Sequence, residues 1–519
     1  MPDKSEILVI IDGIEMESEA WELLRLFFSA GSIKFINLKD IPDLPGNFDK
    51  SFFLYVKAEE NENAWSCEVK LFRDPTAVRE VEDAAAHQSA PLSACGRRID
   101  HSELDRPGGS LFRSRKILVG ACIYEILSRL TNRRLPYGSL TGVRPVKLAV
   151  RCLEDGMGKD DTVSHLVKLT DMDSRKASLL YDIAEVEEPW VKPDKRAAHL
   201  YIGIPFCASR CLYCSFTAYS IRRYKDLVIP YLDALRKEIR LVAQWAGGNQ
   251  IKIGSVYIGG GTPTSIDAGG LNRLLNELNG CFDLNGAEFT VEAGRPDTIT
   301  KEKLDIMRDM NVSRISINPQ TMNLSTLRLI GRNHTPEDIE EKFYMARETG
   351  FDNINMDIIA GLPGEDGDMF RNTLNGIERM SPESLTVHTM AVKRASRLRE
   401  EKFPISKTPD EAVEAMIGDA YQSALKMGMR PYYLYRQKNI LANLENTGYA
   451  KPGYECLYNI HTMEERQTVI ALGAGAVSKF VFPDENRIKR IFNLKDVALY
   501  IQRIDEMLER KKKMFDDYI

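Results

Sequence analysis

The sequence predicts an α/β protein. A parallel sheet covered by helices is preceded by an α+β and helical extension and followed by a mostly helical C-terminal part. Three observations carry that prediction. Six strand-like runs alternate with helical stretches between residues 198 and 390, as they do when crossover helices join parallel strands. A cysteine cluster, a glycine run and several polar residues fall at the C-terminal ends of those strands, where such sheets collect their chemistry. The alternation is absent on both sides of this stretch. Alternation by itself does not separate an open sheet from a barrel.

The elements follow in chain order. Residues 1–75 read as a small α+β domain, with strands ILVII, SIKFINL, FFLYVKA and WSCEVKLF and a helix near 16–29. Residues 76–190 read as a helical extension, because SRKILVGACIYEILSRL, RPVKLAVRCLEDG and KASLLYDIAEV place apolar residues three and four apart. The stretch VEEPWVKPDK near 186–195, with two prolines and several charges, is a linker candidate. Strands are expected at 198–204, 253–258, 288–292, 313–317, 353–359 and 384–390, within a domain spanning 196–403. Helices are expected at 226–245, 268–282, 300–310, 336–350 and 366–380. Residues 404–519 form a last domain. Its first helix carries a Thr-x-x-Glu capping box at Thr408 and Glu411, and a basic amphipathic helix closes the chain.

Bulk properties exclude some classes of function. The formal net charge is −5 with both signs interspersed, so no general nucleic-acid or membrane-surface footprint is present. No run reaches the roughly 18 apolar residues of a membrane helix. The N-terminal ILVII lacks a basic flank and a cleavage site, and reads as a strand rather than a signal peptide. The expected location is the cytoplasm.

Nine cysteines without an export signal argue against a disulfide framework. Six are scattered singly. Three lie within eight residues, as Cys207-Ala-Ser-Arg-Cys211-Leu-Tyr-Cys214. Three thiolates on one short loop suit three irons of a cubane cluster, with the fourth iron left open for a ligand. Zinc would want a fourth ligand at paired spacing, and no second pair or nearby histidine follows. Packed, inert thiols are the bland alternative.

This string resembles the radical S-adenosylmethionine (SAM) superfamily, whose signature is CxxxCxxC after a first strand. The wider run from Tyr201 through Ile-Gly-Ile-Pro-Phe to Cys207 is similar to the oxygen-independent coproporphyrinogen III oxidase group. The resemblance covers about 198–519. From Tyr432 through Gly448–Gly453 to Leu472–Ala476 it leans to the HemZ branch, which carries an N-terminal extension of its own. It implies a partial (β/α)6 barrel, a [4Fe–4S] cluster on Cys207, Cys211 and Cys214, and SAM on the open iron. Gly260 in the run Gly259-Gly-Gly-Thr-Pro-Thr264 would contact that SAM. Gly261 and Thr262 would face a second ligand, which in some relatives is a second SAM. Glu292, Gln320, Arg332 and Asp357 match further SAM-contacting positions, and Ile359 and Ala391 match apolar backbone contacts. Tyr201 would sit near the SAM and Tyr213 beside the cluster.

The implied reaction is the oxidative decarboxylation of two propionates of coproporphyrinogen III to vinyl groups, giving protoporphyrinogen IX. It needs an external electron donor and acceptor. A substrate with four carboxylates calls for Arg or Lys. Lys393, Arg394, Arg397 and Arg399 after the sixth strand, and Arg436 in the tyrosine-rich loop, are the candidates; Tyr201, Arg394 and Arg436 would act at the substrate.

Two departures mark this chain. Gly203 and Phe216 stand where the best-studied oxidases have His and Cys. The related haem chaperones carry an Arg-His-Asn-type motif where this chain reads Arg436-Gln-Lys-Asn439, leaving Cys456 or His461 as substitute haem ligands. The chaperone and other tetrapyrrole chemistry, such as ring methylation or opening, are the alternative readings.

Overall fold

The computed structural model describes residues 5–37, 51–62, 64–73, 77–78, 91–100, 111–142, 144–215, 219–393, 397 and 408–518. The chain forms two compact units, Met1–Tyr181 and Asp182–Ile519.

In the first unit a five-stranded sheet has the order β2-β1-β3-β4-β5. Its strands are β1 (Glu6–Asp12), β2 (Ile33–Phe35), β3 (Ser51–Glu60), β4 (Ala64–Phe72) and β5 (Ser93–Asp100), with α1 (Glu17–Leu24) between the first two. Strand β5 falls inside the stretch read as a helical extension, and it pairs antiparallel with β4. Helix α2 (Leu111–Thr131) covers β4 and β5, burying Val119, Ile123 and Ile126 against Val69 and Leu71. Its Cys122 lies 3.5 Å from Cys67 of β4, sulfur to sulfur, so two cysteines that look isolated in sequence are neighbours. Helices α3 (Val146–Glu154), α4 (Lys159–Thr170) and α5 (Ser174–Glu187) follow.

The second unit is built on an eleven-stranded sheet. Six parallel strands lie side by side in chain order: β6 (Ala197–Ile204), β9 (Lys252–Gly260), β10 (Glu288–Gly294), β11 (Arg314–Ile317), β12 (Ile354–Ala360) and β13 (Ser384–Thr389). The short strands β7 (Phe206–Cys207) and β8 (Tyr219–Ser220) flank the cysteine loop. Crossover helices α6 (Val228–Gly248), α7 (Ala268–Cys281), α8 (Lys301–Asp309), α9 (Leu324–Leu329), α10 (Pro336–Thr349) and α11 (Gly367–Met380) join the strands. The barrel is partial. The outer edge of β6 is taken by β16 (Thr468–Leu472) in parallel, and that of β13 by β15 (Asn446–Ala450) in antiparallel. The helix-rich C-terminal part therefore also supplies five strands to this sheet, the others being β14 (Arg430–Tyr435), β17 (Val477–Phe482) and β18 (Arg487–Phe492).

Period-2 alternation decides what each face does. Leu200, Ile202, Val256, Ile258, Val291, Ile315, Met356 and Val387 point to the helices and form the main core. The intervening residues are polar: Tyr201, Ser255, Tyr257, Glu292, Ser316, Asn355, Asp357, Thr386 and His388. Parallel strands buried on both faces are normally apolar throughout, so a polar face over six strands marks the side reserved for chemistry.

Helix α12 (Asp410–Lys426) starts after Pro409 with no side-chain cap, so the capping box expected at Thr408 and Glu411 does not form; Glu411 falls one position too early in the helix. A full capping box instead opens α10, between Thr335 and Asp338. Helices α13 (Leu457–Glu464), α14 (Val497–Gln502) and α15 (Ile504–Tyr518) complete the unit. Among the described residues no helix is long and apolar enough to cross a membrane.

Candidate active site

Because the six strands are parallel, their C-terminal ends share one rim. The rim carries Cys207 after β6, Gly260 at the end of β9, Glu292 in β10, Gln320 after β11, Asp357 and Ile359 in β12, and Ala391 after β13. The backbone stitches these positions together. Gly261 N–H donates to Ile204 O and Thr262 N–H to Phe206 O, both at 2.8 Å. Gln320 N–H donates to Asp357 O at 2.9 Å, and Ile359 N–H to Gln320 O at 3.0 Å. Gln320 holds a φ of 68°, a left-handed conformation that costs a non-glycine residue energy and is retained at sites that need it. Ala391 bridges to Ile440, tying the rim to the C-terminal region.

The cysteine loop is braced from three sides. The Thr262 hydroxyl donates to Cys207 Sγ at 3.5 Å. Leu212 N–H donates to Ile330 O at 3.0 Å. Arg295 reaches Ser209 Oγ at 2.8 Å and Cys211 Sγ at 3.8 Å. Burial pushes the Cys207 thiol up to about 11, the Thr262 hydrogen bond opposes this, and Cys214 and Cys211 add to it by charge. A thiol so placed ionises readily only with a cation as partner.

Glu292 is the most perturbed carboxyl of the rim. Burial raises it to about 7, against a hydrogen bond from Tyr257, while the charge of Asp357 adds to the rise. The Tyr257 hydroxyl donates to Glu292 Oε1 at 2.5 Å. Its ring stacks on Tyr458 of α13 at 4.4 Å, and Tyr458 stacks on Tyr201 at 5.7 Å. For Asp357 burial pushes upward too, but hydrogen bonds with His388, Asn355 and Thr386 prevail and hold it below its ordinary value. A raised carboxyl in the fold destabilises it as pH rises. The folded protein keeps the proton to about pH 7, the unfolded chain gives it up near 4.5, and stability falls between the two. Wild type and Glu292→Gln should therefore unfold at similar denaturant at about pH 4, below the unfolded value. At pH 8 the wild type should be the weaker, by about 3 kcal/mol. Equal stabilities at pH 8 would show that Glu292 is solvated.

The chain matches the sequence pattern of the radical SAM superfamily over residues 201–377. It is 42% identical over 437 residues to the Bacillus subtilis oxygen-independent coproporphyrinogen-III oxidase-like protein HemZ, covering 82% of this chain and 87% of that protein. The chain belongs to the HemZ-like family of radical SAM proteins. Heme chaperone HemW of Bacillus subtilis is 31% identical over 280 residues, 53% of this chain and 69% of HemW. The solved coproporphyrinogen III oxidase HemN of Escherichia coli shares the fold, with a TM-score of 0.50 and 22% identity over 62% of this chain and 72% of that one.

A radical SAM protein implies a [4Fe–4S] cluster and SAM, and the site suits both. The three thiols share one braced loop, and thiolates are the ligands that iron–sulfur clusters use. Gly261 supplies close approach: a Cβ there would lie 3.0 Å from Cys207 Sγ.

Sequence reasoning missed three groups of this site. Tyr257 and Tyr458 stand in β9 and α13 with no local motif to set them apart. Arg295 lay in plain view two residues before Asp297, and that spacing around a proline was its only local signal. Arg332, matched to SAM by resemblance, is buried and donates to Asn318 O and to the Tyr213 hydroxyl, the latter at 3.2 Å. Arg436 is buried, with Nη2 donating to Asn443 O at 3.0 Å, so part of its fork is used within its own loop rather than on a substrate. Arg394, Arg399 and Phe216 lie outside the described residues. Cys456 donates to Glu288, and His461 stacks on His199 at 3.8 Å. Both are buried, and neither is presented to a haem iron.

Proposed function

We propose that this radical SAM protein acts on a tetrapyrrole and that its reaction is the oxidative decarboxylation of coproporphyrinogen III propionates. The observation that carries the reading is the joint placement of the braced cysteine loop, Gly260, Glu292, Gln320 and Asp357 on one rim of a polar sheet face, in a chain 42% identical to a coproporphyrinogen oxidase-like protein. When bound, the cluster and SAM supply the one-electron chemistry that starts hydrogen abstraction.

The chain's own groups divide the remaining work. Gly260 and Gly261 present backbone at close range to SAM. Glu292 accepts hydrogen bonds from SAM hydroxyls once ionised, and Tyr257 fixes which oxygen faces inward. Asp357, kept ionised by its hydrogen bonds, takes a positive or donor group of the same ligand. Lys393 lies within the field of Cys214, and Arg397 donates to Arg210 O at 3.3 Å, so both flank the cysteine loop. They are the proposed receivers of substrate carboxylates, together with Arg394. Tyr201 lies on the polar face of β6, stacked on Tyr458. The cytoplasm is the proposed location.

A haem-chaperone reading has the HemW likeness behind it. The burial of Cys456 and His461, with Lys438 where a histidine would be expected, speaks for the oxidase instead. The test is an anaerobic assay of reconstituted protein with SAM, a strong reductant and coproporphyrinogen III, read by mass spectrometry. Stepwise loss of two carboxyl groups with formation of 5′-deoxyadenosine is expected. Cys211→Ser should lower that product by at least about 10³-fold, since the initiating chemistry is lost outright. Deoxyadenosine with an intact porphyrin would overturn the substrate; stable haem binding without SAM cleavage would favour the chaperone.

A further inference from the structure

Arg295 is a buried cation whose placement the reaction outlined above does not use. Its side chain is 3% exposed. The guanidinium pairs with both oxygens of Asp297, at 2.9 and 2.8 Å, and turns its remaining edge to the cysteine loop. There Nη1 meets Ser209 Oγ at 2.8 Å, Ser209 O at 3.4 Å and Cys211 Sγ at 3.8 Å. Arg and Asp are 84 and 86 residues in sequence from the Cys211 they flank, so only the fold creates this contact.

We propose that Arg295 sets the reduction potential of the cluster through Cys211, with Asp297 as the counterweight that limits its effect. The proposal rests on the reading that Cys207, Cys211 and Cys214 hold the cluster. Reduction adds one electron to a buried group. A positive charge and an N–H donor beside a ligating sulfur stabilise the reduced form and raise the potential. Burial keeps that field from being screened. The Arg295–Asp297 pair is neutral as a whole, so Cys211 feels a dipole with its positive end nearest. Removing either end then has opposite consequences. Without the guanidinium the field falls; without the carboxylate it grows.

The other charged groups nearby do not blur this expectation. Arg332 also lies against Cys211, by charge and by a side-chain hydrogen bond, with further anchors on Asn318 and Tyr213; it is present in both variants, so it adds a constant field and leaves the signs of the two shifts unchanged. His334 faces Arg332, Asp297 and Arg295; burial and the Arg332 charge bring it down to about 4, so it is neutral at assay pH. Arg295 is a positioning and tuning residue: it acts on the cluster through a ligand and touches no substrate.

The experiment is an anaerobic redox titration of the reconstituted protein, followed by electron paramagnetic resonance, after iron and sulfide contents are measured. In Arg295→Gln the ratio of reduced to oxidised cluster at a set potential should fall about tenfold, a shift of about 59 mV to lower potential for one electron. Arg295→Lys should recover part of it. Asp297→Asn should move the potential upward. Shifts of the same sign in Arg295→Gln and Asp297→Asn, or no shift with full iron content, would overturn the proposal and leave Arg295 as a loop brace on Ser209. If Arg295→Gln retains no cluster, the sign of the Asp297→Asn shift decides alone. Wild-type protein that takes up no cluster would overturn the cluster reading and this proposal with it, an outcome told apart by the iron assay.

Discussion

Gly261→Ala should strip the protein of most of its cluster, while Gly280→Ala leaves it untouched. A Cβ on Gly261 would stand 2.5 Å from Phe206 O, 2.9 Å from Ile204 O and 3.0 Å from Cys207 Sγ. Two of these atoms are backbone carbonyls already engaged: Ile204 O accepts from Gly261 itself, and Phe206 O accepts from Thr262. Relief therefore cannot come from a side-chain rotation. Either the β9 rim or the cysteine loop must shift, and both carry the proposed ligands. A misplacement of about 1 Å in a preorganised site costs on the order of 10²-fold in rate, and a displaced thiolate also weakens cluster retention. Gly280 ends helix α7 with open space around its Cβ position, where alanine gains up to about 1 kcal/mol of helix propensity. Iron content and 5′-deoxyadenosine formation, measured on both variants, check the pair. A Gly261→Ala protein with full iron and normal turnover would show that the rim yields more easily than its hydrogen bonds suggest.

Lys511→Met and Glu238→Gln should each cost about 3–5 kcal/mol, and the double variant much less than their sum. The two side chains form a 2.7 Å ion pair with no solvent exposure at either end. Glu238 also accepts from Gly473 N–H at 2.8 Å, the Tyr500 hydroxyl at 2.6 Å and Asn493 Nδ2 at 2.7 Å. Removing one partner strands a charge in a cavity built for two, and that drives the penalty. The network also holds the loop at Gly473, whose φ of 102° places it against Gly203 O and the Tyr231 hydroxyl, with Tyr231 donating back to Gly203 O. This loop abuts the end of β6 just before the cysteine loop. Urea denaturation of the two single variants and the double would measure the coupling. A coupling energy near zero would mean that water enters and solvates the survivor.

The period-2 pattern of the six strands was legible because each carries its own alternation, one apolar residue for the helices and one polar residue for the opposite face. Strand limits at 198–204 and 384–390 differ by only a residue from Ala197–Ile204 and Ser384–Thr389, since local periodicity and flanking Gly, Pro and Asp fix them. The cysteine loop was legible for a similar reason: three cysteines at short spacing need no tertiary information. The strands β14–β18 were harder to place. They are short, set among helices and tyrosine-rich loops, and their partners lie far off in sequence; β16 pairs with β6 across 270 residues, as in Val469 against His199.

What the sequence determined by itself was the class of protein, the six strands and the run of three cysteines, all written in runs of a few residues. What only the tertiary structure decided was how distant residues meet. Lys511 reads as one more cation of a basic helix, yet it is fully buried on Glu238. Arg295 reads as a loop residue, yet it lies against Cys211. The eleven-stranded sheet arises because two strand edges left open by a six-stranded partial barrel must be paired, and no local pattern states which segments will pair with them. Burial and charge compensation are properties of assembled neighbours, so a single residue's identity cannot encode them.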